Sequence, residues 1–205
     1  PKPVKKPRRG DYEIHTAHEG FASILHVSSG EIMHSRTPPM DEARQIYCEQ
    51  AFFSERVRAD QTRNPLVLWD VGLGAAANAM AAIRCYEAQA EAGAVRPLRI
   101  ISFENDLDSL QLAFSHNERF TYLRHSGPAA ILRDGHWQSR DYAGLSWELI
   151  PGDFQSTMTS APAQPEVIFY DMFSGTTSGD QWSLKAFQRL FAACDGCGAE
   201  LFTYT

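Results

Sequence analysis

The sequence has no long apolar run and no excess of positive charge, and both shortages exclude classes of protein. No apolar stretch approaches the ~18–20 residues that span a bilayer, and no charged-then-apolar leader opens the chain. The formal net charge of -6 provides no overall field that would attract nucleic acid. We therefore expect no membrane partner, and any contact with a polyanion must come from a local basic surface.

Cysteine is also scarce, with four residues in a chain of 205. Cys194 and Cys197 form one Cys-x-x-Cys pair, but a tetrahedral zinc site needs four ligands and no second pair accompanies it. We expect reduced structural thiols, no metal and no disulfide, which is typical of a cytoplasmic protein.

Basic side chains crowd into residues 1–10. We predict a basic, flexible arm there, with two interpretations. It is either a solvated, mobile terminus or an arm whose lysine and arginine side chains contact RNA phosphates.

Residues 11–60 predict a small antiparallel unit followed by a helix. Apolar and other side chains alternate at period two, and turn residues at 19–20 and 28–30 break the pattern, which indicates a β-hairpin. An apolar stripe at spacings of three and four then predicts a helix over residues 40–57.

Residues 61–205 follow a different pattern, in which near-continuous apolar runs alternate with helices. Such runs are typical of a parallel sheet covered on both faces, so the fold class is α/β, a Rossmann-like sheet with a small N-terminal β-hairpin appendage. The predicted strands are 66–71, 97–103, 145–150, 167–171 and 200–204. Ligands of such sheets bind outside the carboxyl ends of the strands, where we therefore look for a site.

The first predicted strand of this sheet ends in Asp70 and is followed by Gly72-Leu73-Gly74. Glycines at that place permit positive φ and let backbone N–H groups approach a ligand closely. A dinucleotide loop has a third glycine, but position 77 is alanine, so the helix cannot lie as close to a pyrophosphate. The loop therefore favours a smaller nucleoside such as the adenosyl group of S-adenosylmethionine, with Asp70, Gly72 and Gly74 at its site.

Two further acidic residues follow the next two strands. We predict that Glu104 accepts hydrogen bonds from both ribose hydroxyls, and that Asp153 accepts one from the adenine amino group while Phe154 stacks on the ring. The alternatives are a solvated loop carboxylate at Glu104 and ordinary turn chemistry at Asp153. Together these residues predict a class I S-adenosylmethionine-dependent methyltransferase.

A third motif follows the fourth strand. Asp171, Phe173 and Ser174, and then Asp180 and Trp182, match in kind and spacing a signature that reads Asp-Gly-Phe-Ala/Ser-Pro, a short loop, and Asp-x-Trp. These positions, with a glycine loop echoed by Gly72, Gly74 and Asn78, resemble the methyltransferase module of the MnmC family and its free-standing relatives. The resemblance covers about residues 11–205, but Met172 stands where the family has glycine and Gly175 where it has proline.

The resemblance implies methyl transfer from S-adenosylmethionine to the aminomethyl nitrogen on carbon 5 of the wobble uridine (U34) in tRNA. It also implies a separate flavin-dependent partner enzyme, and it places Asn78 at the cofactor site. The family continues past its fifth strand into an antiparallel edge, so we expect the last strands to be missing from this sequence. The sequence does not indicate an oligomeric state.

The residues also suggest roles at the acceptor side. Asp171 is the candidate catalytic residue, which holds the amine and receives its proton, although it could simply cap the loop that follows. Phe173 and Trp182 are candidates for stacking on a flipped base, or for ordinary packing. His34 and Asp180 complete the candidate substrate-binding residues, and His34 could equally be a structural histidine of the hairpin.

Two other functions stay open. A spermidine-synthase-like aminopropyltransferase shares the sheet and a β-hairpin appendage, but its Gly-Gly-Gly-Asp-Gly-Gly loop is absent around Gly72. A non-catalytic partner protein that keeps the fold would bind the cofactor without turnover, and Met172 is consistent with such a protein.

Overall fold

The computed structural model describes residues 6–59, 64–194, 196 and 198–204. In this part of the chain the strands form two sheets, one of four strands and one of six. The strands are β1 (Arg8–Arg9), β2 (Tyr12–Thr16), β3 (Ala22–His26), β4 (Glu31–Met33), β5 (Leu66–Val71), β6 (Leu98–Glu104), β7 (His136–Gln138), β8 (Leu145–Pro151), β9 (Val167–Tyr170) and β10 (Glu200–Thr203). The predicted α/β fold with a small antiparallel unit before the main sheet is confirmed.

The first sheet is antiparallel in the order β1-β2-β3-β4. It starts at Arg8, before residue 11 where we placed the start of the hairpin, because Arg8 and Arg9 pair with Glu13 and Tyr12. The Arg9 guanidinium also contacts Asp108 at 2.8 Å, which ties this strand to a helix of the main unit. Residues 1–5 of the predicted arm and Cys197 lie outside the described residues.

The helices connect and flank the two sheets. They are α1 (Pro39–Ala43), a π-helical segment (Arg44–Glu49), α2 (Phe53–Arg58), α3 (Ala77–Ala92), α4 (Asp108–Ser115), α5 (Ser126–Asp134), α6 (Phe154–Thr157) and α7 (Leu184–Ala193), with 3-10 turns at Thr121–Arg124, Met158–Ser160 and Gly179–Trp182. No helix of the described residues has both the length and the apolar character to cross a membrane.

The single helix predicted over residues 40–57 is wrong, because the chain turns between the π-helical segment and α2. Phe52 adopts φ of +48° and leaves 66% of its side chain exposed, whereas its neighbours Ala51 and Phe53 are fully buried. The break therefore places the apolar residues on both sides of Phe52 in the core and leaves Phe52 itself on the surface.

The main sheet has the order β10-β9-β5-β6-β8-β7 and is parallel except for the edge strand β7. Val71 pairs with Phe103 on one side and with Tyr170 on the other, so the central strands end at the same level. Residues after those ends are thereby brought to one edge of the sheet.

Both faces of the main sheet are covered. One face packs an aromatic cluster, in which the Trp69 and Phe154 rings both meet Phe103 edge-on at 5.2 and 5.0 Å. The other face packs against α3, whose buried alanines allow the helix to lie close to β5 and β6. The sheet is thus fixed on both sides, and its carboxyl edge is a rigid base for a site.

Candidate functional site

A cavity of about 810 Å³ lies at the carboxyl edge of the main sheet, between it and the end of the small sheet. Seven of the residues that the sequence predicted for a site line this cavity: His34, Gly72, Gly74, Asn78, Glu104, Asp171 and Phe173. They lie at or after the ends of strands of both sheets, except for Asn78 on α3. Five others lie outside its lining: Asp70, Asp153, Phe154, Asp180 and Trp182. The sequence therefore located the cavity but not every side chain that faces it.

The glycine loop after β5 has the backbone geometry that was predicted. Gly72 has φ of +84°, and a Cβ there would lie 2.4 Å from the carbonyl oxygen of Asp171. Gly74 has φ of +52°, and its N–H donates to Oε2 of Glu104 at 3.0 Å. Only glycine permits the first approach, which holds the loop after β5 against the end of β9.

Glu104 faces the loop with both carboxylate oxygens. Besides the Gly74 contact, Oε1 accepts from the backbone N–H groups of Asn105 and Asp106 at 2.9 and 3.1 Å. Burial raises the pKa of Glu104 above its usual value, and the three N–H groups oppose that rise. A carboxylate offers about four acceptor sites, and these N–H groups use two on Oε1 and one on Oε2, so a site on Oε2 is left for a ligand hydroxyl.

Asp171 directly follows β9, and hydrogen bonds fix both its backbone and its side chain. Its N–H donates to the Val71 carbonyl at 2.8 Å, and its Oδ2 accepts from the Asn78 side-chain amide at 2.7 Å. Burial raises the pKa of Asp171, while His34, the Tyr47 hydroxyl and the Asn78 amide lower it in part. The carboxyl is a fixed acceptor at the inner wall of the cavity.

His34 reaches the same cavity from the end of β4. Its backbone has φ of +53°, which is uncommon for a residue with a side chain. Nδ1 lies 3.0 Å from Oε1 of Glu42, and the Thr37 hydroxyl donates to the other carboxylate oxygen of Glu42 at 3.0 Å. Although burial opposes the change, His34 and Thr37 hold the pKa of Glu42 below its usual value.

Glu31 is a cavity residue that the sequence did not suggest. Its Oε1 accepts from the Ser174 N–H at 2.9 Å, and its Oε2 accepts from the hydroxyls of Ser174 and Thr177 at 3.0 and 2.7 Å. These contacts join β4 of the small sheet to the loop after β9. The partners are more than 140 positions apart in the chain, so no local pattern could have revealed them.

Phe173 and Trp182, both predicted to stack on a base, differ in position. Phe173 lines the cavity and stacks on His26 with 4.9 Å between ring centroids. Trp182 packs edge-on against Tyr170 at 5.3 Å, and its Nε1 donates to the Phe173 carbonyl at 2.7 Å. Trp182 therefore supports the loop that carries Phe173 rather than facing the cavity.

Asp70 lies beneath the cavity and is fully buried. Its Oδ2 accepts from the Ser102 hydroxyl at 2.6 Å, and that hydroxyl in turn accepts from Nε1 of Trp147 at 2.8 Å. Burial raises the pKa of Asp70 to about 7. Asp70, predicted to lie at the cofactor site, instead belongs to this buried hydrogen-bonded network across β5, β6 and β8 and does not line the cavity.

The two residues predicted to contact adenine also lie outside the lining of the cavity. Asp153 caps α6, because its Oδ2 accepts from the N–H and hydroxyl of Ser156 at 3.1 and 3.0 Å, and its Oδ1 accepts from the Gln181 amide at 3.0 Å. Phe154 is 3% exposed and belongs to the aromatic cluster under the sheet. Asp180 is exposed on a 3-10 turn, where its backbone carbonyl accepts from the Ser183 hydroxyl.

Comparisons with known proteins support the fold and one family resemblance. The bifunctional tRNA 5-methylaminomethyl-2-thiouridine biosynthesis protein MnmC of Chromobacterium violaceum is 25% identical over 184 residues, which cover 86% of this chain and 27% of that protein. The crystal structure of MNMC2 from Aquifex aeolicus matches with a TM-score of 0.68 at 18% identity, over 92% of this chain and 58% of that one. No protein-family model matches the chain.

The mixed six-stranded sheet, preceded by a separate antiparallel sheet, is typical of S-adenosylmethionine-dependent methyltransferases. Within that class, the chain resembles the methyltransferase module of MnmC in sequence and in fold. It spans about a quarter of the length of the curated relative and less than two thirds of the matching crystal chain.

Proposed function

We propose that this chain is an S-adenosylmethionine-dependent methyltransferase that methylates the 5-aminomethyl nitrogen of the wobble uridine in tRNA. The observation that carries this proposal is the meeting of two groups of residues in one cavity. The glycine loop with Glu104 forms one wall, and Asp171 with Asn78 forms the wall beside it. The resemblance to MnmC supports the choice of acceptor.

The residues of the cavity fit S-adenosylmethionine. The volume lies within the range of roughly 300–1,000 Å³ that is usual for small-molecule sites. Glu104 would accept from a ribose hydroxyl, and the glycine loop would bring backbone N–H groups close to the ligand. Oδ1 of Asn78, a buried acceptor without a partner among the described residues, suits a ligand that carries N–H groups.

The bound cofactor would supply an electrophilic methyl group on a sulfonium. The chain's own part is to hold a neutral amine in line with that methyl and to exclude water. Asp171 would accept a hydrogen bond from the amine, since Asn78 and the Val71 carbonyl already fix its orientation. The Phe173 ring, on the same cavity wall, would contact the base.

The surface of the described residues suggests weak binding of tRNA by this chain alone. Arg9, Arg56 and Arg133 are paired with Asp108, Glu200 and Asp134 at 2.8, 2.8 and 2.5 Å. Paired guanidinium groups offer less to phosphates than free ones. We propose that firm tRNA binding needs further basic segments, and that a separate flavin-dependent partner enzyme provides the aminomethyl substrate.

The test supplies purified protein with S-adenosylmethionine and tRNA that already carries 5-aminomethyluridine at the wobble position. We expect nucleoside mass spectrometry to show one added methyl group at that uridine. Asp171→Asn should lower kcat by roughly 10²-fold, the scale of a lost positioned acceptor, while its affinity for S-adenosylhomocysteine stays the same.

The other outcomes separate the alternatives. Cofactor binding with no methylated nucleoside would contradict the proposed acceptor and favour a non-catalytic partner protein. Transfer of an aminopropyl group from decarboxylated S-adenosylmethionine to putrescine would favour the aminopropyltransferase. No binding of S-adenosylhomocysteine by calorimetry would contradict the methyltransferase itself.

A further inference from the structure

The cavity holds a second acid–base group that the proposed function has not used. His34 and Glu42 form a hydrogen-bonded pair at its rim, with Nδ1 and Oε1 3.0 Å apart. Both residues line the cavity that contains Asp171. They come from the chain after β4 and from α1, so they are supplied by the N-terminal part of the molecule rather than by the main sheet.

The partner of Nδ1 fixes which ring nitrogen carries the proton. A carboxylate accepts hydrogen bonds and does not donate them, and the pKa of Glu42 lies below its usual value, so Glu42 is ionised at neutral pH. Nδ1 must therefore carry the hydrogen. In the neutral ring, Nε2 then has a free lone pair.

The lone pair on Nε2 is available. Among the described residues, no hydrogen-bond partner of Nε2 is found, and the side chain of His34 faces the cavity. Thr37 holds the second oxygen of Glu42 at 3.0 Å, which stops the carboxylate from turning away from the ring. The left-handed backbone of His34, with φ of +53°, is a strained feature of the kind that accumulates at functional sites.

We propose that His34 is the catalytic base that takes the proton from the acceptor amine, and that Glu42 is the positioning residue that holds it in the required tautomer. This inference rests on the proposed function and assigns the binding of the amine and the removal of its proton to two different residues. Asp171, fixed by Asn78, holds the amine, and Nε2 of His34 removes the proton.

The lone pair of the neutral amine would form the N–CH₃ bond as the methyl–sulfur bond of the bound cofactor breaks, and the pair of that broken bond would stay on sulfur. The nitrogen, now positively charged, would lose a proton to Nε2 of His34, and the electron pair of its N–H bond would return to nitrogen as a lone pair. His34 would become an imidazolium paired with the Glu42 carboxylate. The proton on His34 then passes to solvent at the cavity mouth.

The pH dependence of the reaction reports this base, and several charged or titratable groups surround it. Glu42 faces the ring from α1, and Asp171 faces it from the end of β9. Tyr47 and Tyr204 interact with Asp171 from the π-helical segment and from the end of β10, and Arg36 and Glu31 line the same cavity.

The kinetic test compares His34→Gln and Glu42→Gln with matched variants outside the site. His34→Gln should lower kcat by roughly 10²-fold or more without changing the affinity for S-adenosylhomocysteine. Glu42→Gln should lower kcat by about 10-fold or more and move the acid limb of the pH–rate profile to lower pH, because the imidazolium loses its counter-charge. His136→Gln and Glu49→Gln, on exposed positions, should leave both quantities unchanged.

A second measurement does not depend on the acceptor. Long-range ¹H–¹⁵N spectra of the free protein at about pH 8 should show His34 as the neutral Nδ1–H tautomer, assigned by its loss in His34→Gln. In Glu42→Gln that tautomer should give way to the commoner Nε2–H form. An imidazolium that persists at this pH, or an Nε2–H tautomer in the unchanged protein, would overturn the assignment of His34 as base.

The two measurements keep the two proposals separate. The Nδ1–H tautomer together with no methylated uridine would contradict the proposed acceptor and leave the His34–Glu42 pair intact. A methylated uridine with the same kcat and pH profile in Glu42→Gln would support the proposed function and overturn the role of Glu42.

Discussion

Glu104 and Asp153 stand at similar places, since Glu104 is the last residue of β6 and Asp153 comes two residues after β8, but only Glu104 faces the cavity. The difference lies in where the next helix begins after each of these two residues. After Asp153 the helix α6 begins at once, and the carboxylate is used as its cap. After Glu104 the helix α4 begins only at Asp108, and Asp106 accepts from the N–H of Asp108 instead. An acidic residue at a strand end is thus free for a ligand when another residue serves the following helix.

The largest effect in this comparison is expected at the glycine that opens the loop beside Glu104. Gly72→Ala would place a Cβ 2.4 Å from the Asp171 carbonyl, with a backbone that disfavours any side chain. We expect the free energy of unfolding to fall by about 2 kcal/mol or more, and binding of S-adenosylhomocysteine to be lost. Thermal unfolding and calorimetry would measure both.

Gly74→Ala is the matched control for that variant. Its Cβ would meet only the flexible side chain of Met33, at 3.4 Å, so its effect should be smaller although its φ is also positive. Equal losses in the two variants would show that the approach of Gly72 to Asp171 is not what holds the loop.

The direct test of the comparison exchanges each strand-end acid for alanine. Glu104→Ala should weaken binding of S-adenosylhomocysteine by roughly 10- to 100-fold, the scale of one lost hydrogen bond to a charged group. Asp153→Ala should lower the free energy of unfolding by about 1 kcal/mol through loss of the α6 cap, with little change in binding. If calorimetry gave the larger loss of affinity for Asp153→Ala, the cofactor would lie at the end of β8 instead.

A smaller effect is expected at Asp70, where a substitution changes how the free energy of unfolding depends on pH. Its pKa of about 7 lies above the ordinary value of 3.8, so the folded protein holds this proton more tightly than the unfolded chain. The stability that it contributes is complete below about pH 4 and is lost as the pH rises to about 7, at roughly 1.4 kcal/mol per pH unit. Asp70→Asn should remove this dependence.

Urea unfolding at intervals between about pH 5 and pH 7 measures the effect as a difference between the two proteins. Glu104 and Asp171, whose pKa values are also raised by burial, contribute to both proteins and cancel in that difference. Parallel curves would mean that Asp70 is ionised throughout this range, and that its burial is compensated by a contact beyond Ser102.

The main sheet could be predicted because its strands are short, nearly continuous apolar runs, and the cavity could be located because parallel strands end at one edge. The sequence pattern predicts no helix or strand over residues 118–144, although α5 and β7 lie there. The cap of α5 is the side chain of His125, which accepts from the N–H of Gly127 and is not among the usual capping residues.

The site was predicted in part for a similar reason. Gly72, Glu104 and Asp171 could be found because local backbone position decides their direction. Glu31 and Glu42 could not be found, because their hydrogen bonds depend on partners brought together by folding. Phe154 was predicted to stack on a ligand, but an aromatic residue after a strand can equally pack in the core. Here the Phe154 ring packs against the rings of Trp69 and Phe103.

The three hydrogen bonds of Glu31 make the loop after β9 dependent on the small sheet. The loop after β9 belongs to the main sheet by sequence, but its Ser174 amide and its two hydroxyls are satisfied by a strand of the small sheet. Protection of that amide from hydrogen exchange therefore depends on the integrity of β4, more than 140 positions away. We therefore expect removal of the small sheet to disorder the loop after β9, which carries Ser174 and Thr177.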